Sequence, residues 1–461
     1  MPLILPSNTI TGGYEVANSV RLDTDATFTR TLGASPTDAD VGTVSFWFKK
    51  VETPNSSKYG RFVHIGSTGN DLGLFTLNDY ILWYIDSGTA GAGTQSGRLY
   101  RDQSAWYHII YAFDSRQATA SNRIKIYVNG ELQDSTAHPI LTNVTSDTAI
   151  FDASHLFCIG ATNATSLGQN LDGYLAEFVY VDGQQLDATS FGEFDEDSGI
   201  WKPIDVSGLT FGNNGFYLDF ENSGSLGADV SGNGNNFTVN NLTSVDQSTD
   251  TPTNNYCTIN PLDKDSNVVL ADGNLTTSPP SANNKGFRST FAVSQGKWYW
   301  EVKWNSGGGT AIIGIADDAY ATSSYLGSTS KSWGYYNSGD YYNNASTNSY
   351  GNSFTSGDII GVALDADNGY LYFSKNGTFQ NSGDPTSGAT GTGGIAVSSP
   401  SNGLWFPAGS HQTGTNVSHN FGSPPYSITS GNSDGAGYGN FEYSVPSGYY
   451  ALNTKNLAEY G

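Results

Sequence analysis

Few folds accept the stretch Gly357–Phe379, GDIIGVALDADNGYLYFSKNGTF. In an extended chain Ile360, Val362 and Leu364 fall on one face, and Ile359, Gly361 and Ala363 on the other. That period of two predicts a strand. Asp365–Gly369 (DADNG) breaks the run, Tyr370–Phe373 resumes it, and Asn376-Gly377 ends it. Asn-Gly enters positive φ at low cost, so it marks a tight hairpin turn. The stretch reads as a β-meander. Arg123–Leu132 (RIKIYVNGEL) repeats the pattern, with Ile124, Ile126 and Val128 alternating up to Asn129-Gly130. Asp365 and Asp367 have two readings, a cation-binding pair or a turn shaped by side chain–backbone bonds. The turn is the simpler account.

A chain of 461 residues exceeds a single sandwich and predicts two or three domains. Gly (56), Tyr (28), Phe (23) and Trp (9) are abundant and Met occurs once, a composition of short strands and many turns. The aromatic content argues against disorder for most of the chain. Formal charge is 20 − 43 = −23, which repels phosphate backbones, so no nucleic-acid partner is expected. The acidity serves solubility and also suits a cation. Cys158 and Cys257 fall in different predicted domains, so neither a disulfide nor a metal site is expected of them, and Cys158 in LFCIG reads as a small core residue. The N-terminus, MPLILPSNTITGG, lacks the pattern of a signal peptide, and no run of about 18 apolar residues exists, so no membrane insertion is expected. The Asn-x-Ser/Thr triplets at Asn163, Asn274 and Asn376 read as chance in such a chain.

In chain order, residues 1–13 form an N-terminal arm. Strands follow at Thr43–Lys49 (TVSFWFK), Arg61–Ser67, Leu72–Leu77, Tyr80–Asp86, Trp106–Phe113, His155–Asn163 and Leu171–Gly183. Useful helical periodicity is missing, and strands at this spacing predict an antiparallel sandwich. The order SFWFK, WYHIIYAFD, IKIYVNGEL, FCIGA, LDGYLAEFVYVDGQQLD resembles the laminin-G-like or pentraxin-like branch of the concanavalin-like sandwiches over residues 14–240. The resemblance implies a two-sheet jelly roll, often glycan-binding, sometimes with calcium at a rim. Phe191–Thr238 is similar to bacteriophage structural proteins, tail fibres above all.

Residues 241–257 are polar, with Pro252 inside and Pro261 just beyond, and read as a linker. Gly296–Trp304 (GKWYWEVKW) then alternates cleanly. WYWEV, IIGIA, WGYY, GDIIGVALD, GYLYFSKNGT and GLWFPA, in that order, resemble a SPRY domain over residues 258–425. That family has a concanavalin-like sandwich, usually binds protein partners through loops at one edge, and is not known for catalysis. Residues 426–461 are a Gly-rich C-terminal tail, and their ending is similar to those of phage fibre proteins. The predicted fold is therefore all-β: two tandem antiparallel concanavalin-like sandwiches, an arm and a tail.

Four constellations bear on function. Tyr320, Tyr325, Trp333, Tyr335, Tyr336, Tyr341 and Tyr342 lie between SPRY-like strands amid Ser, Asn, Gly and Asp. Aromatic faces stack on sugar rings or fill a partner's pockets, so these form the predicted ligand-binding surface. Trp333 and Tyr335 read equally well as core. Asp229, Ser231, Asn233 and Asn235 place oxygen donors at alternate positions, as at the start of a calcium loop, but Asn240 stands where the twelfth-position Glu belongs. The alternative is a Gly/Asn-rich turn, and calcium is the sole cofactor considered. Glu193, Asp195 and Asp197 would project to one side of a strand, as paired acids of a glycosidase do. A solvated acidic loop is the alternative. His64, His108, His138, His155, His411 and His419 form no HxxxH or HExxH pattern, and neither a nucleophile elbow nor a Walker-type loop occurs.

The expected function is a non-enzymatic virion adhesin of tail-fibre or capsid-fibre type, recognising host-surface glycan or protein. A capsid decoration or scaffold protein is the second reading, and a polysaccharide depolymerase acting through Glu193 the third. Expected partners are other virion proteins and the host surface, with a homotrimer suggested by fibre proteins though no heptad supports it. The expected location is the virion surface after synthesis in the host cytoplasm.

Overall fold

The computed structural model describes residues 13–461 except 24, 34, 52–59, 68–69, 87–91, 134–149, 163–168 and 280–283. Residues 1–12 of the expected arm, His138 and Asn163 lie outside the described residues. Two compact units follow each other, dividing between Thr253 and Asn254. Both are antiparallel β-sandwiches, and the protein is all-β apart from short turns of helix.

In the first unit one sheet runs in the order Glu131–Leu132, Ile124–Val128, Trp106–Asp114, Val41–Lys50, Gly173–Asp182, Ser19–Leu22, Gln247–Ser248, with Phe216–Leu218 on Gly173–Asp182. The other runs Thr238–Asn240, Thr27–Thr31, Leu156–Ile159, Gly60–Ser67, Asn70–Leu77, Tyr80–Asp86, Ala92–Gln95. Val44, Phe46 and Phe48 point between the sheets, where Phe46 and Phe48 meet Phe62 at 5.0 and 4.7 Å. Alternation predicts a solvated opposite face, yet every residue of Val41–Lys50 is buried. A second apolar layer explains this: Trp47, Ile110, Tyr174 and Ala176 pack with Tyr217 of the same sheet and are roofed by Trp201 and Phe211 from the segment between Gly173–Asp182 and Phe216–Leu218.

The expected linker is largely part of this unit. Gln247–Ser248 pairs with Ser19–Leu22, and Asp250 is buried against Lys49 at 2.6 Å. Ser248, Asp250, Thr251 and Thr253 are buried there, where polar partners meet them, as when Ser19 Oγ donates to the Asp250 carbonyl at 2.6 Å. Cys158 and Cys257 are both buried.

In the second unit one sheet runs Ile259–Lys264, Lys285–Ser289, Phe406–His411, Ala311–Ala316, Ser332–Tyr336, Asp340–Asn343, Ser346–Ser349. The other runs Val269–Ala271, Thr276–Ser278, Asn416–Asn420, Lys297–Ser306, Ile359–Asp365, Tyr370–Lys375, Thr378–Phe379. Trp298, Trp300, Val302 and Trp304 fill the space between them. The expected tail is built in: Tyr450–Ala451 adds to Lys297–Ser306 in parallel. Glu301 Oε1 and Oε2 accept from the backbone N–H groups of Tyr443 and Glu442 at 2.8 and 2.9 Å. Thr454–Tyr460 is an α-helix that the sequence reading missed. Seven residues are too few for periodicity, but Asn453 caps it by accepting from Asn456 N.

The opening meander forms as read, Ile359–Asp365 pairing with Tyr370–Lys375. Its aspartates are turn and framework groups. Asp365 accepts from Asn368 N at 3.0 Å and pairs with Lys297 at 3.0 Å, and Asp367 accepts from Gly296 N at 2.7 Å.

Candidate functional site

Ser332–Tyr336 sorts the expected aromatic surface by parity. Trp333 and Tyr335 point inward. Trp333 meets Trp405 edge-on at 5.2 Å, and Tyr335 stacks on Phe373 at 5.1 Å while its hydroxyl donates to the Asn352 carbonyl. Both are buried, and burial pushes the Tyr335 phenol up to about 12. They are core, not binding surface. Tyr320 is also buried, its hydroxyl donating to the Ser324 carbonyl at 2.7 Å, so it anchors its own loop. Tyr341 packs edge-on against Tyr350 at 6.1 Å, on the inward side.

The other three converge on the outer face. Tyr342 meets Tyr336 at 5.1 Å and Tyr325 at 5.9 Å, both edge-on, and all three are half-buried. Gly334 makes this possible. A Cβ there would stand 2.3 Å from Ile312 Cγ2 and 3.1 Å from Leu326, so a bare position lets the Tyr325–Leu326 loop settle on the sheet. The cross-strand neighbour of Tyr342 is Thr347, on the edge strand Ser346–Ser349, whose four side chains are exposed. Three phenol rings beside a hydroxyl- and amide-bearing edge can stack on a ring or receive a side chain while donating hydrogen bonds.

The first unit holds a site that the sequence reading did not find. A cavity of about 340 Å³ opens between Tyr100, Trp106, Glu131, Phe194 and Trp201, with Arg98 at its rim. Trp201 covers the Asn129-Gly130 turn, where a Cβ on Gly130 would lie 2.4 Å from the indole. Its ring stacks with His108, which stacks on Trp47 at 4.6 Å. The indole Nε1 donates to His108 Nδ1 at 2.9 Å, so that nitrogen carries no proton and the ring is neutral. Burial holds it so, pulling the His108 pKa down to about 3. The lining residues are scattered from 47 to 201 in the chain, and Trp47 on the supposed polar face of its strand was the one signal available.

Two known families match the chain. Residues 22–191 match the concanavalin A-like lectin/glucanases superfamily, and residues 297–424 match the SPRY domain. The chain carries a concanavalin A-like domain followed by a SPRY domain. Among curated proteins it is similar to the ATP-dependent RNA helicase DDX1 of Xenopus laevis, 33% identical over 120 residues. It is also similar to the dual specificity protein kinase splA of Dictyostelium discoideum, 33% identical over 103 residues. These stretches are 26% and 22% of this chain, which spans 16% and 4% of the two relatives. Among solved structures, the SPRY domain of human HERC1 aligns at 20% identity and TM-score 0.27, over 35% of this chain and 96% of that one. The PSpry domain of TRIM65 aligns at 14% identity and TM-score 0.28, over 36% and 88%. Lectin-like and SPRY domains are binding-type folds, and a binding-module role suits the tandem.

The acidic trio and the suspected calcium loop both lie in the concanavalin A-like region. Glu193, Asp195 and Asp197 do not share a strand face, because the strand Gly192–Phe194 ends before Asp195. Asp195 instead organises the turn, accepting from Ser198 N at 2.9 Å, Ser198 Oγ at 2.8 Å and Lys202 Nζ at 3.1 Å. Those bonds, led by the Ser198 N–H, hold its carboxyl down at about 2, the wrong direction for a general acid. The loop from Asp229 is a self-bonded turn. Asp229 accepts from Tyr217 N, Ser231 N and Asn235 N at 2.9, 2.9 and 2.7 Å, and Ser231 Oγ accepts from Asn233 N. Asn233 and Asn235 donate to the Gly215 carbonyl, and Arg30 takes Asn235 Oδ1. With its oxygens turned to the chain's own N–H groups, the loop does not present the expected calcium ligands.

Proposed function

We propose that the chain is a non-enzymatic virion adhesin, of tail-fibre or capsid-fibre type, that contacts host-surface glycan or protein through its SPRY domain. The observation that carries this reading is the half-buried triad Tyr325, Tyr336 and Tyr342 beside the exposed edge Ser346–Ser349. Virion placement draws support from the likeness of Phe191–Thr238 and of the C-terminal ending to phage fibre proteins. Other virion proteins are then its structural partners, within a trimer made in the host cytoplasm. A charge of −23 keeps it off nucleic acid.

The test is binding of the purified chain to host cells and to a glycan array. Tyr342→Ala removes the centre of the triad from a half-exposed position and is expected to weaken binding at least tenfold, about 1.4 kcal/mol or more, with unchanged circular dichroism. Unchanged binding by Tyr342→Ala refutes the site. Stoichiometric capsid occupancy without any host binding turns the reading towards a decoration protein.

A further inference from the structure

The cavity of the concanavalin A-like domain has no part in the tyrosine face. Its walls are aromatic. Trp106 and Trp201 are nearly buried, while Phe194 stands 51% exposed over Trp201 with ring centroids 4.9 Å apart. A large aromatic side chain left half in water over an aromatic-walled cavity marks an interaction surface.

The charge around this mouth is mainly acidic. Glu131 lies on the rim, and Glu196 and Asp197 are exposed in the turn that joins the strands of Phe194 and Trp201. Among nearby cations, Lys202 is committed to Asp195 and Glu193 at 3.1 and 3.4 Å, and Arg98 lies on Glu131 at 2.6 Å. Arg98 is 71% exposed at its side chain, so this pair is a loose, solvent-screened one that a better-placed cation can displace. Aromatic faces attract cations, and a planar guanidinium both stacks on indole and forks to a carboxylate. An anionic ligand is repelled here. A neutral one gains nothing from the surplus of carboxylates at the mouth.

We propose that this cavity docks a basic segment of a partner protein, an arginine side chain lying across Trp106, Trp201 and Phe194 with its guanidinium towards Glu131. The whole-chain charge of −23 steers such a partner inward.

The experiment titrates the full chain with an acetylated, amidated Gly-Arg-Arg-Leu-Gly peptide at about 0.15 M salt, where surface charge is screened beyond roughly 8 Å. Tryptophan fluorescence and calorimetry are the readouts, and the same peptide with citrulline for arginine is the neutral control. Expected is saturable binding, at least tenfold tighter for arginine than for citrulline. Phe194→Ala and Glu131→Gln, both at exposed positions, are each expected to weaken it at least fivefold with unchanged circular dichroism. Equal binding of the two peptides overturns the proposal. So does an absence of arginine-peptide binding, or binding indifferent to both substitutions, which is unspecific attraction to an acidic chain. A neutral oligosaccharide such as cellohexaose that shifts the fluorescence while the arginine peptide does not also overturns it. The tyrosine face belongs to the other domain, and host-cell binding by Phe194→Ala reports on it separately.

Discussion

Lys49 and Asp250 are each 1% exposed and 2.6 Å apart, and Trp106 Nε1 donates to the other Asp250 oxygen at 3.0 Å. Neither residue looked like core in the sequence. Lys49 sat at the polar end of an alternating strand, and Asp250 in a stretch read as linker. They bury because each satisfies the other once the last strand closes the sheet. Removing one partner leaves a charge in a low-dielectric interior, and such losses cost about 3–5 kcal/mol. Asp250→Ala is therefore expected to lower the stability of the concanavalin A-like domain by about that amount, read from its urea unfolding transition. A loss below about 1 kcal/mol would show that water reaches Lys49 and that the closing strand is not held by this pair. Glu301 plays the same part in the SPRY domain. Its carboxylate, raised by burial, accepts from two consecutive backbone N–H groups and so draws in a segment that composition alone makes a tail.

The Asn-Gly turns show what an element carries beyond its sequence signature. Asn129 and Asn376 both have φ 48°, and Gly130 and Gly377 have φ 78° and 79°. Each asparagine also exchanges two bonds with the neighbouring strand. Asn129 donates to the His108 carbonyl at 2.9 Å and accepts from His108 N at 2.8 Å. Asn376 does the same with Ile359 at 2.8 and 2.9 Å. An aromatic ring covers each glycine, Trp201 in one domain and Tyr443 in the other. Asn376→Gly keeps the positive φ and loses the side-chain acceptor, an expected cost of about 1 kcal/mol. Asn376→Ala adds left-handed strain and is expected to cost about 2–3 kcal/mol in all. Equal costs for the two would show that the side-chain bond to Ile359, rather than the left-handed backbone of the turn, sets the stability. These turns, the alternating runs and the order of both sandwiches were legible because their information is local. The inner or outer fate of Trp333 and Tyr336 was not, since adjacent aromatic residues on one strand look alike until the second layer is known. The Trp201 cavity was less legible still, because it joins residues about 100 positions apart.

At the scale of the whole molecule, both domains carry buried imidazoles. In the SPRY domain Thr277 Oγ1 lies 3.0 Å from Nε2 of both His411 and His419. Two imidazolium cations stacked with ring centroids 6.4 Å apart would repel. Burial pulls His411 to about 3 and His419 well below its ordinary value, as it pulls His108 to about 3 in the concanavalin A-like domain. The unfolded chain takes up these protons near pH 6.5. Between about pH 6.5 and 3 it therefore binds more protons than the native state, so the stability is present above 6.5 and lost as pH falls through that window. Above it, from about pH 6.5 to 8, these groups contribute no slope. Thermal scans are expected to show each domain's transition falling between about pH 6.5 and 4, less steeply in the concanavalin A-like domain, where burial raises the Glu177 carboxyl to about 7 and adds a slope of the opposite sign. His108→Gln, which keeps an acceptor for the Trp201 indole, is expected to shallow the acid slope of the concanavalin A-like transition and leave the SPRY transition as it is. An unaltered slope in that variant would assign the acid sensitivity of that domain to its carboxylates, with the imidazole a bystander.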